Sequence, residues 1–232
     1  MASPIQRKAA IRKARQRAAR RRMYVLGGLA LLVIIVGVGV YLYVTGQQTN
    51  IVRAQINTTQ GVIQIELYPS KAPKTVSNFV NLVNSHFYDN LVWHRIMKSF
   101  VIQTGDPMTK NGGGDNSTWG NNGSSQTVPL EIDSSLHNYA GYIAMARTSD
   151  PNSASSQFYI NLVDNSASLD PNPSQNLQGY AVFGKVTSTS GMDVALAIGN
   201  LPTNGSNPAS GTGQPNEPLK PYPLVTSITI TS

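Results

Sequence analysis

Hydrophobic and polar positions alternate most clearly over residues 91–104, where two short apolar runs are joined by a turn. This alternation is typical of β-strands, because successive side chains of a strand point to opposite faces. It predicts that Trp93 and Arg95 share one face of the first strand, and that Val101 and Gln103 share one face of the second. If the strands pair, a guanidinium, an amide and apolar groups lie together. No carboxylate lies within this stretch to neutralise Arg95, so its N–H donors remain available to a ligand.

The rest of the chain predicts further short strands and two helices. Residues 51–57 and 62–67 read as a hairpin, and Pro73 begins a helix that continues to about Val83. Residues 191–201 predict a second helix. Apolar strands are predicted over residues 143–146, 158–163, 181–186 and 224–231, and residues 110–127 and 202–223 read as loops rich in Gly, Asn, Ser or Pro. Many short strands with turn-rich connections favour a mainly β fold, a closed antiparallel barrel.

The N-terminal part has a different pattern. Residues 24–44 are 21 consecutive uncharged, mostly apolar residues, and three arginines precede them at 20–22. This length suffices to cross a membrane as a helix, and the arginines place the N-terminus in the cytoplasm. The sequence therefore predicts a basic cytoplasmic tail at 1–22, a transmembrane helix at 23–45, a linker at 46–50 and a globular domain at 51–232 outside the plasma membrane. A cleaved signal peptide is the alternative, but the apolar run is longer than a signal peptide needs.

The charge distribution limits the partners of the globular domain. Nine of the 18 basic residues lie between Arg7 and Arg22, and the first acidic residue is Glu66. From residue 47 onward, nine basic and eleven acidic residues remain, a formal charge of −2. The domain is therefore not expected to bind nucleic acid. The basic tail determines topology in the simpler interpretation; in the alternative it docks to anionic lipid, RNA or ribosomes.

Several other chemistries are excluded by the sequence. Three histidines and no cysteine give no metal-ligand spacing, so neither a metal nor a cofactor is expected. There is no G-x-S-x-G elbow, and the glycines at 112–114 lack the lysine and hydroxyl of a phosphate-binding loop.

Three long motifs resemble those of one family. Residues 93–106 resemble F-H-R-I-x-x-x-F-x-x-Q-x-G-D, with Trp93 in place of Phe. Residues 141–161 resemble G-x-I-A-M-A-R-x-x-x-P-x-S-A-x-S-Q-F-F-I-N, and residues 179–186 match G-Y-A-V-F-G-K-V. In this order they are the motifs of cyclophilin-type peptidyl-prolyl cis-trans isomerases, and the bacterial form is the most similar. The resemblance covers about residues 51–230 and sharpens the predicted fold to an eight-stranded barrel capped by two helices.

The resemblance also implies an activity and a site. Family members accelerate the cis-trans isomerisation of X-Pro bonds in proline-containing polypeptides, without a covalent intermediate. It implies that Arg95 donates to the prolyl nitrogen, that Gln103 orients Arg95, and that Phe100 belongs to the same catalytic group. The implied substrate-binding residues are Val101, Ala146, Arg147, Gln157, Tyr159, Leu169 and Tyr180. Trp93 and His94 are expected to be packing residues, since strand ends commonly bury such rings.

Departures from the family pattern lie around the proposed groove. Ser168 stands where relatives carry an aromatic residue, which predicts altered peptide affinity and weakened cyclosporin binding. Tyr159 replaces a Phe, Val101 replaces a Met, and residues 170–178 are an insertion beside the groove. The leading hypothesis is a membrane-anchored isomerase that assists the folding of exported proteins. The alternative is a non-catalytic module of the same fold that holds proline-containing segments as a chaperone or assembly partner.

Overall fold

The computed structural model describes residues 51–114, 116–205 and 216–231, together with residues 17, 23, 26 and 33–38 near the N-terminus. The chain divides into two compact units, Met1–Gln48 and Thr49–Ser232. In the first unit the described residues are helical and exposed. None of the described residues belongs to a helix with the length and apolar character needed to span a membrane. The predicted tail, transmembrane helix and linker fall mostly on residues outside this description and stay predictions.

The second unit is mainly β. Its described residues form nine strands: β1 (Val52–Thr58), β2 (Gly61–Leu67), β3 (Leu91–Val92), β4 (Arg95–Ile96), β5 (Val101–Thr104), β6 (Tyr142–Met145), β7 (Phe158–Asn161), β8 (Val182–Val186) and β9 (Leu224–Ile230). They also form three α-helices: α1 (Pro73–Asn84), α2 (Ser166–Leu169) and α3 (Thr189–Gly199). The predicted hairpin, both predicted helices and the later predicted strands are confirmed to within a few residues.

All nine strands belong to one antiparallel sheet in the order β3-β9-β1-β2-β8-β6-β7-β5-β4. The sheet must curl, because its two edge strands, β3 and β4, are separated by only Trp93 and His94. This differs from the predicted closed barrel of eight strands. The run at 91–97 is divided because its two halves have different partners: β3 pairs with β9, and β4 pairs with β5. Outside these ladders, Trp93 N donates to Pro223 O (2.9 Å), and Ile96 N donates to Asn216 O (2.8 Å).

The two longer helices cover the main core. Helix α1 begins at Pro73, and its first turn is capped by Glu131, whose carboxylate accepts from Lys74 N (3.1 Å) and Thr75 N (2.8 Å). An acidic side chain is favourable there because the helix N-terminus carries partial positive charge. Helix α3 begins after Ser188, whose side chain accepts from Gly191 N (3.0 Å), an arrangement typical of a helix N-cap.

The buried apolar residues form two separate clusters. The larger cluster fills the space between the sheet and the two longer helices, with an aromatic group at its centre: Phe79, Tyr88, Phe158 and Phe183. The smaller cluster contains Val101, Ala144, Tyr159 and Val182, with Phe100, Leu136, Tyr142, Ala146, Leu169 and Tyr180 packed against it. The smaller cluster carries the candidate site.

Candidate active site

Three neighbouring strands place the central side chains of the site. Arg95 of β4 lies directly opposite Gln103 of β5, and Gln103 lies opposite Tyr159 of β7. On β5 the side chains alternate as predicted: Val101 belongs to the smaller cluster, whereas Ile102 belongs to the main core. Strand pairing therefore brings together a guanidinium, an amide and an aromatic ring from two distant parts of the sequence.

The prediction for the first strand was wrong at Trp93. Strand alternation placed Trp93 on the same face as Arg95, but Trp93 is fully buried in the main core, with its ring 6.0 Å from that of Phe158. Arg95 instead lines a surface cavity. The reason is the break between β3 and β4. Trp93 lies between the two strands and Arg95 begins β4, so the two residues need not follow the period of two.

Nine of the ten predicted site residues surround one cavity of about 400 Å³. This volume lies within the usual range for ligand pockets. The lining residues are His94, Arg95, Phe100, Val101, Gln103, Gly120, Ala146, Arg147, Tyr159, Leu169 and Tyr180. The tenth predicted residue, Gln157, lines an adjoining cavity of about 220 Å³. The two cavities share Gln103, Gly120, Ala146 and Arg147 and therefore form a continuous groove.

A chain of hydrogen bonds fixes the polar side of the pocket. Gln157 Nε2 donates to the backbone carbonyls of Gly120 (3.0 Å) and Asn122 (2.5 Å). Its oxygen therefore faces Gln103, whose Nε2 donates to it at 2.8 Å. The oxygen of Gln103 in turn accepts from Arg95 Nη1 at 3.2 Å. Because each amide has one donor end and one acceptor end, the two carbonyls determine the orientation of both glutamines.

Asp106 holds the loop that supplies those carbonyls. This buried carboxylate accepts from the backbone N–H groups of Gly120 (2.7 Å), Asn122 (3.2 Å) and Met108 (2.8 Å). Sequence reasoning assigned no role to Asp106, Gly120 or Asn122. The G-D pair that ends the first motif was the available signal, but backbone carbonyls leave no trace in a side-chain pattern.

Arg95 remains a free cation in the pocket. Burial lowers the pKa of Arg95 from its ordinary value, but a guanidinium stays protonated in proteins. No carboxylate pairs with Arg95 among the described residues. This agrees with the absence of an acidic partner in the sequence around it, and it leaves donors of Arg95 for a ligand.

A second guanidinium lies at the boundary between the two cavities. Arg147 donates from Nε and Nη2 to Gly179 O (3.0 and 2.8 Å) and from Nη1 to Thr148 O (2.8 Å). Its carbon Cζ lies 4.7 Å from the ring centroid of Tyr180, a favourable cation–π distance. Tyr180 in turn packs edge-on against Tyr159, with ring centroids 5.8 Å apart.

Tyr159 has a hydroxyl that the usual Phe lacks. This hydroxyl makes a hydrogen bond to a residue outside the pocket lining. It donates to Asn138 Oδ1 at 2.8 Å. Asn138 is itself held by Asp170, which accepts from both its backbone N–H and its side-chain amide at 2.9 Å. Asp170 also bonds His137 Nδ1 at 2.7 Å. The polar end of Tyr159 is therefore satisfied, and its ring forms part of the pocket wall.

His94 is buried as predicted, but it also lines the pocket, which was not predicted. Burial lowers the pKa of His94 to about 4, because a charged imidazole would lose its hydration. At neutral pH it is an uncharged packing residue. Within the described part of the chain, no cluster of three or more His, Asp or Glu could hold a metal ion.

Comparisons with known proteins identify the family of the domain. The family model for cyclophilin type peptidyl-prolyl cis-trans isomerase/CLD matches residues 53–220. The peptidyl-prolyl cis-trans isomerase of Acinetobacter baylyi is 39% identical over 166 residues, 72% of this chain and 80% of that protein. Peptidyl-prolyl cis-trans isomerase A of Dickeya dadantii is 41% identical over 166 residues, 72% of this chain and 78% of that protein.

Solved structures give the same result. A cyclophilin type isomerase from Cryptosporidium parvum has a TM-score of 0.60 at 26% identity, and the match covers 78% of this chain and 98% of that one. A crystal structure of the same isomerase in the presence of the dipeptide Ala-Pro has a TM-score of 0.58 at 27% identity, covering 78% and 99%.

The curled antiparallel sheet and its groove, which both polar and apolar side chains line, thus define a class of peptide-binding isomerases. The chain belongs to the cyclophilin type peptidyl-prolyl cis-trans isomerase family. Its activity is the cis-trans isomerisation of X-Pro peptide bonds, as the three motifs predicted.

Proposed function

We propose that Arg95 is the catalytic donor of this isomerase and that it acts on the prolyl nitrogen of the substrate. The observation that carries the proposal is the position of Arg95: it lies at an apolar pocket, bonds Gln103 and has no acidic partner among the described residues. Its charge is therefore not neutralised by the protein around it.

The reaction needs a group that binds the twisted peptide bond better than the planar one. The barrier of ~18–20 kcal/mol comes from amide resonance, which is lost when the bond rotates. The nitrogen then regains a lone pair that can accept a hydrogen bond. A donor fixed beside that nitrogen lowers the barrier because it acts in the transition state and not in the planar ground state. Each ~1.4 kcal/mol of such preference gives about a tenfold increase in rate.

The remaining predicted residues hold the substrate while the bond turns. Apolar groups of Phe100, Val101, Tyr159 and Leu169 surround the space for the pyrrolidine ring. Gln103 orients the guanidinium through its 3.2 Å hydrogen bond. The backbone at Ala146 and Arg147, together with Gln157 and Tyr180, binds the peptide that flanks the proline. No proton is transferred, so no general base is needed, and neutral His94 takes no chemical part.

The test compares wild type with Arg95→Ala on an X-Pro peptide, with cis-trans exchange measured by NMR. We expect Arg95→Ala to lower kcat/KM by about 10²-fold or more, as for loss of a single transition-state donor. Arg53→Ala is the matched control, because Arg53 is exposed on β1 and outside the groove. If the full chain and its Arg95→Ala variant accelerate exchange equally, Arg95 is not the catalytic donor.

A second candidate function is a module that binds proline-containing segments and does not catalyse. One observation favours it: Ser168 is exposed on α2 beside Leu169, so this side of the groove lacks the aromatic wall of relatives. Cyclosporin binding is expected to be weak for the same reason. Peptide-induced NMR shifts without faster exchange would support this candidate over the first.

The cellular setting we propose is the outer face of a bacterial plasma membrane. The tail at 1–22 would lie in the cytoplasm, the helix at 23–45 would span the membrane, and the domain at 51–232 would assist exported proteins as they fold. The support is the 21-residue uncharged stretch at 24–44 and the arginines before it. Unaided X-Pro isomerisation is slow enough to limit folding, so an isomerase at this place would speed the folding of exported proteins. Digestion of the domain by protease added outside intact cells is the expected result; full protection would contradict this topology.

A further inference from the structure

We infer that Arg147 selects substrates with an acidic side chain within one or two residues of the proline. The inference rests on the proposed function, because it concerns the preference of the same groove. It adds a role for the Arg147 side chain, beyond the contact of its backbone with the peptide.

The first argument is the charge of the groove. Among the described residues, the lining of the two cavities contains two permanent cations, Arg95 and Arg147, and neither Asp nor Glu. Two carboxylates lie behind the groove. Asp106 is occupied by backbone N–H groups, including that of Gly120, and Asp170 is occupied by Asn138 and His137. A groove whose charges all have one sign attracts ligands of the opposite sign.

The second argument is that the Arg147 cation is held in place without being neutralised. The groups that bind it are the carbonyl oxygens of Gly179, Thr148 and, at 3.5 Å, Ser149, and the face of the Tyr180 ring. None of these carries a negative charge. A guanidinium has five N–H donors, and these bonds leave at least one of them for a ligand. Since its orientation is already fixed, binding an anion costs Arg147 little additional side-chain entropy.

The third argument is distance along the peptide. Arg147 lines both the proline pocket and the adjoining cavity, and the two also share Gln103, Gly120 and Ala146. An extended chain advances ~3.3–3.6 Å per residue. A peptide with its proline in the first cavity therefore passes Arg147 one or two residues away. A carboxylate at that place meets a partly exposed cation, which predicts a preference of about two- to fivefold over a neutral side chain.

The experiment uses matched peptide pairs in which one flanking residue is Glu or its neutral counterpart Gln. The substitution is placed in turn at the two positions before and the two positions after the proline. Affinity is measured by NMR titration and kcat/KM by exchange spectroscopy, for the full chain and for Arg147→Gln, Arg147→Lys and Arg53→Gln. The Arg53→Gln control makes the same change in net charge at an exposed residue of β1 outside the groove.

We expect at least one position at which wild type prefers Glu over Gln by about two- to fivefold, and the preference should fall as salt is added. Arg147→Lys and Arg53→Gln should keep it, and Arg147→Gln should remove it. The inference is overturned if no position shows a preference in wild type, or if the preference survives Arg147→Gln. Acceleration without any Glu preference would leave the proposed catalysis intact; a Glu preference in affinity without acceleration would refute the catalysis alone.

Discussion

Replacing Gln103 by Leu tests whether the chain of hydrogen bonds behind Arg95 contributes to catalysis. Leu keeps nearly the same volume but removes two contacts at once. Arg95 Nη1 loses its acceptor at 3.2 Å, and the oxygen of Gln157 loses its donor at 2.8 Å. The guanidinium would keep its charge but would no longer be held in one orientation. We therefore expect kcat/KM to fall while KM changes little.

The size of the loss follows from the bond to Arg95. A hydrogen bond to a charged group contributes about 1.5–3 kcal/mol. Arg95 is only partly buried, so water would replace some of this, and we take about 1–2 kcal/mol as the loss in the transition state. This corresponds to about a 5- to 30-fold lower kcat/KM. The loss should be smaller than that of Arg95→Ala, since the donor itself is still present.

The assay is exchange spectroscopy on a proline peptide, with circular dichroism to confirm that each variant is folded. A double-mutant cycle with Gln157→Leu gives the sharper result. Because Gln103 and Gln157 act on Arg95 through one chain of bonds, the loss in the double variant should be smaller than the sum of the two single losses. A kcat/KM for Gln103→Leu within about twofold of wild type, or fully additive losses in the cycle, would refute the reasoning.

Two further predictions concern the groups around the pocket. Tyr159→Phe removes the hydroxyl bonded to Asn138 Oδ1; we expect thermal unfolding to show a loss of about 1 kcal/mol, with the pocket wall and kcat/KM nearly unchanged. A tenfold fall in kcat/KM would instead assign the hydroxyl to catalysis. His94 has a pKa of about 4 in the folded chain, below its ordinary value near 6.5, so the unfolded chain binds more protons between these values. The free energy of unfolding should therefore decrease as pH falls from 6.5 to 4, and His94→Gln should flatten this dependence; equal pH slopes would contradict it.

Local pattern was enough to predict most strands and both longer helices, because each buries an apolar face with the expected period. It failed at Trp93, where strand alternation assumed one continuous strand over residues 91–97. The backbone of Trp93 bonds instead to Pro223, more than a hundred residues later. Such a partner has no signature in the local sequence, so the break between β3 and β4 was not predictable from periodicity.

In the candidate site, too, local pairs of residues were predictable and contacts between distant segments were not. The pairing of Arg95 with Gln103 followed from the hairpin pattern, and the structure places the two residues opposite each other. The convergence of Arg147, Tyr159 and Tyr180 on the same cavity needed the family resemblance, because they lie on distant segments. The carbonyls of Gly120 and Asn122, which orient both glutamines, were missed, since every residue has a carbonyl and composition does not distinguish them.

The division of the apolar interior into two clusters has a consequence for how this enzyme can change over evolutionary time. The floor of the groove belongs to a small group around Val101, Ala144, Tyr159 and Val182, apart from the large core under the helices. Substitutions that reshape the floor alter a few local contacts and leave the aromatic centre at Phe79 and Phe158 untouched. New sequence preferences can therefore arise from substitutions in the groove that leave the packing of the main core unchanged.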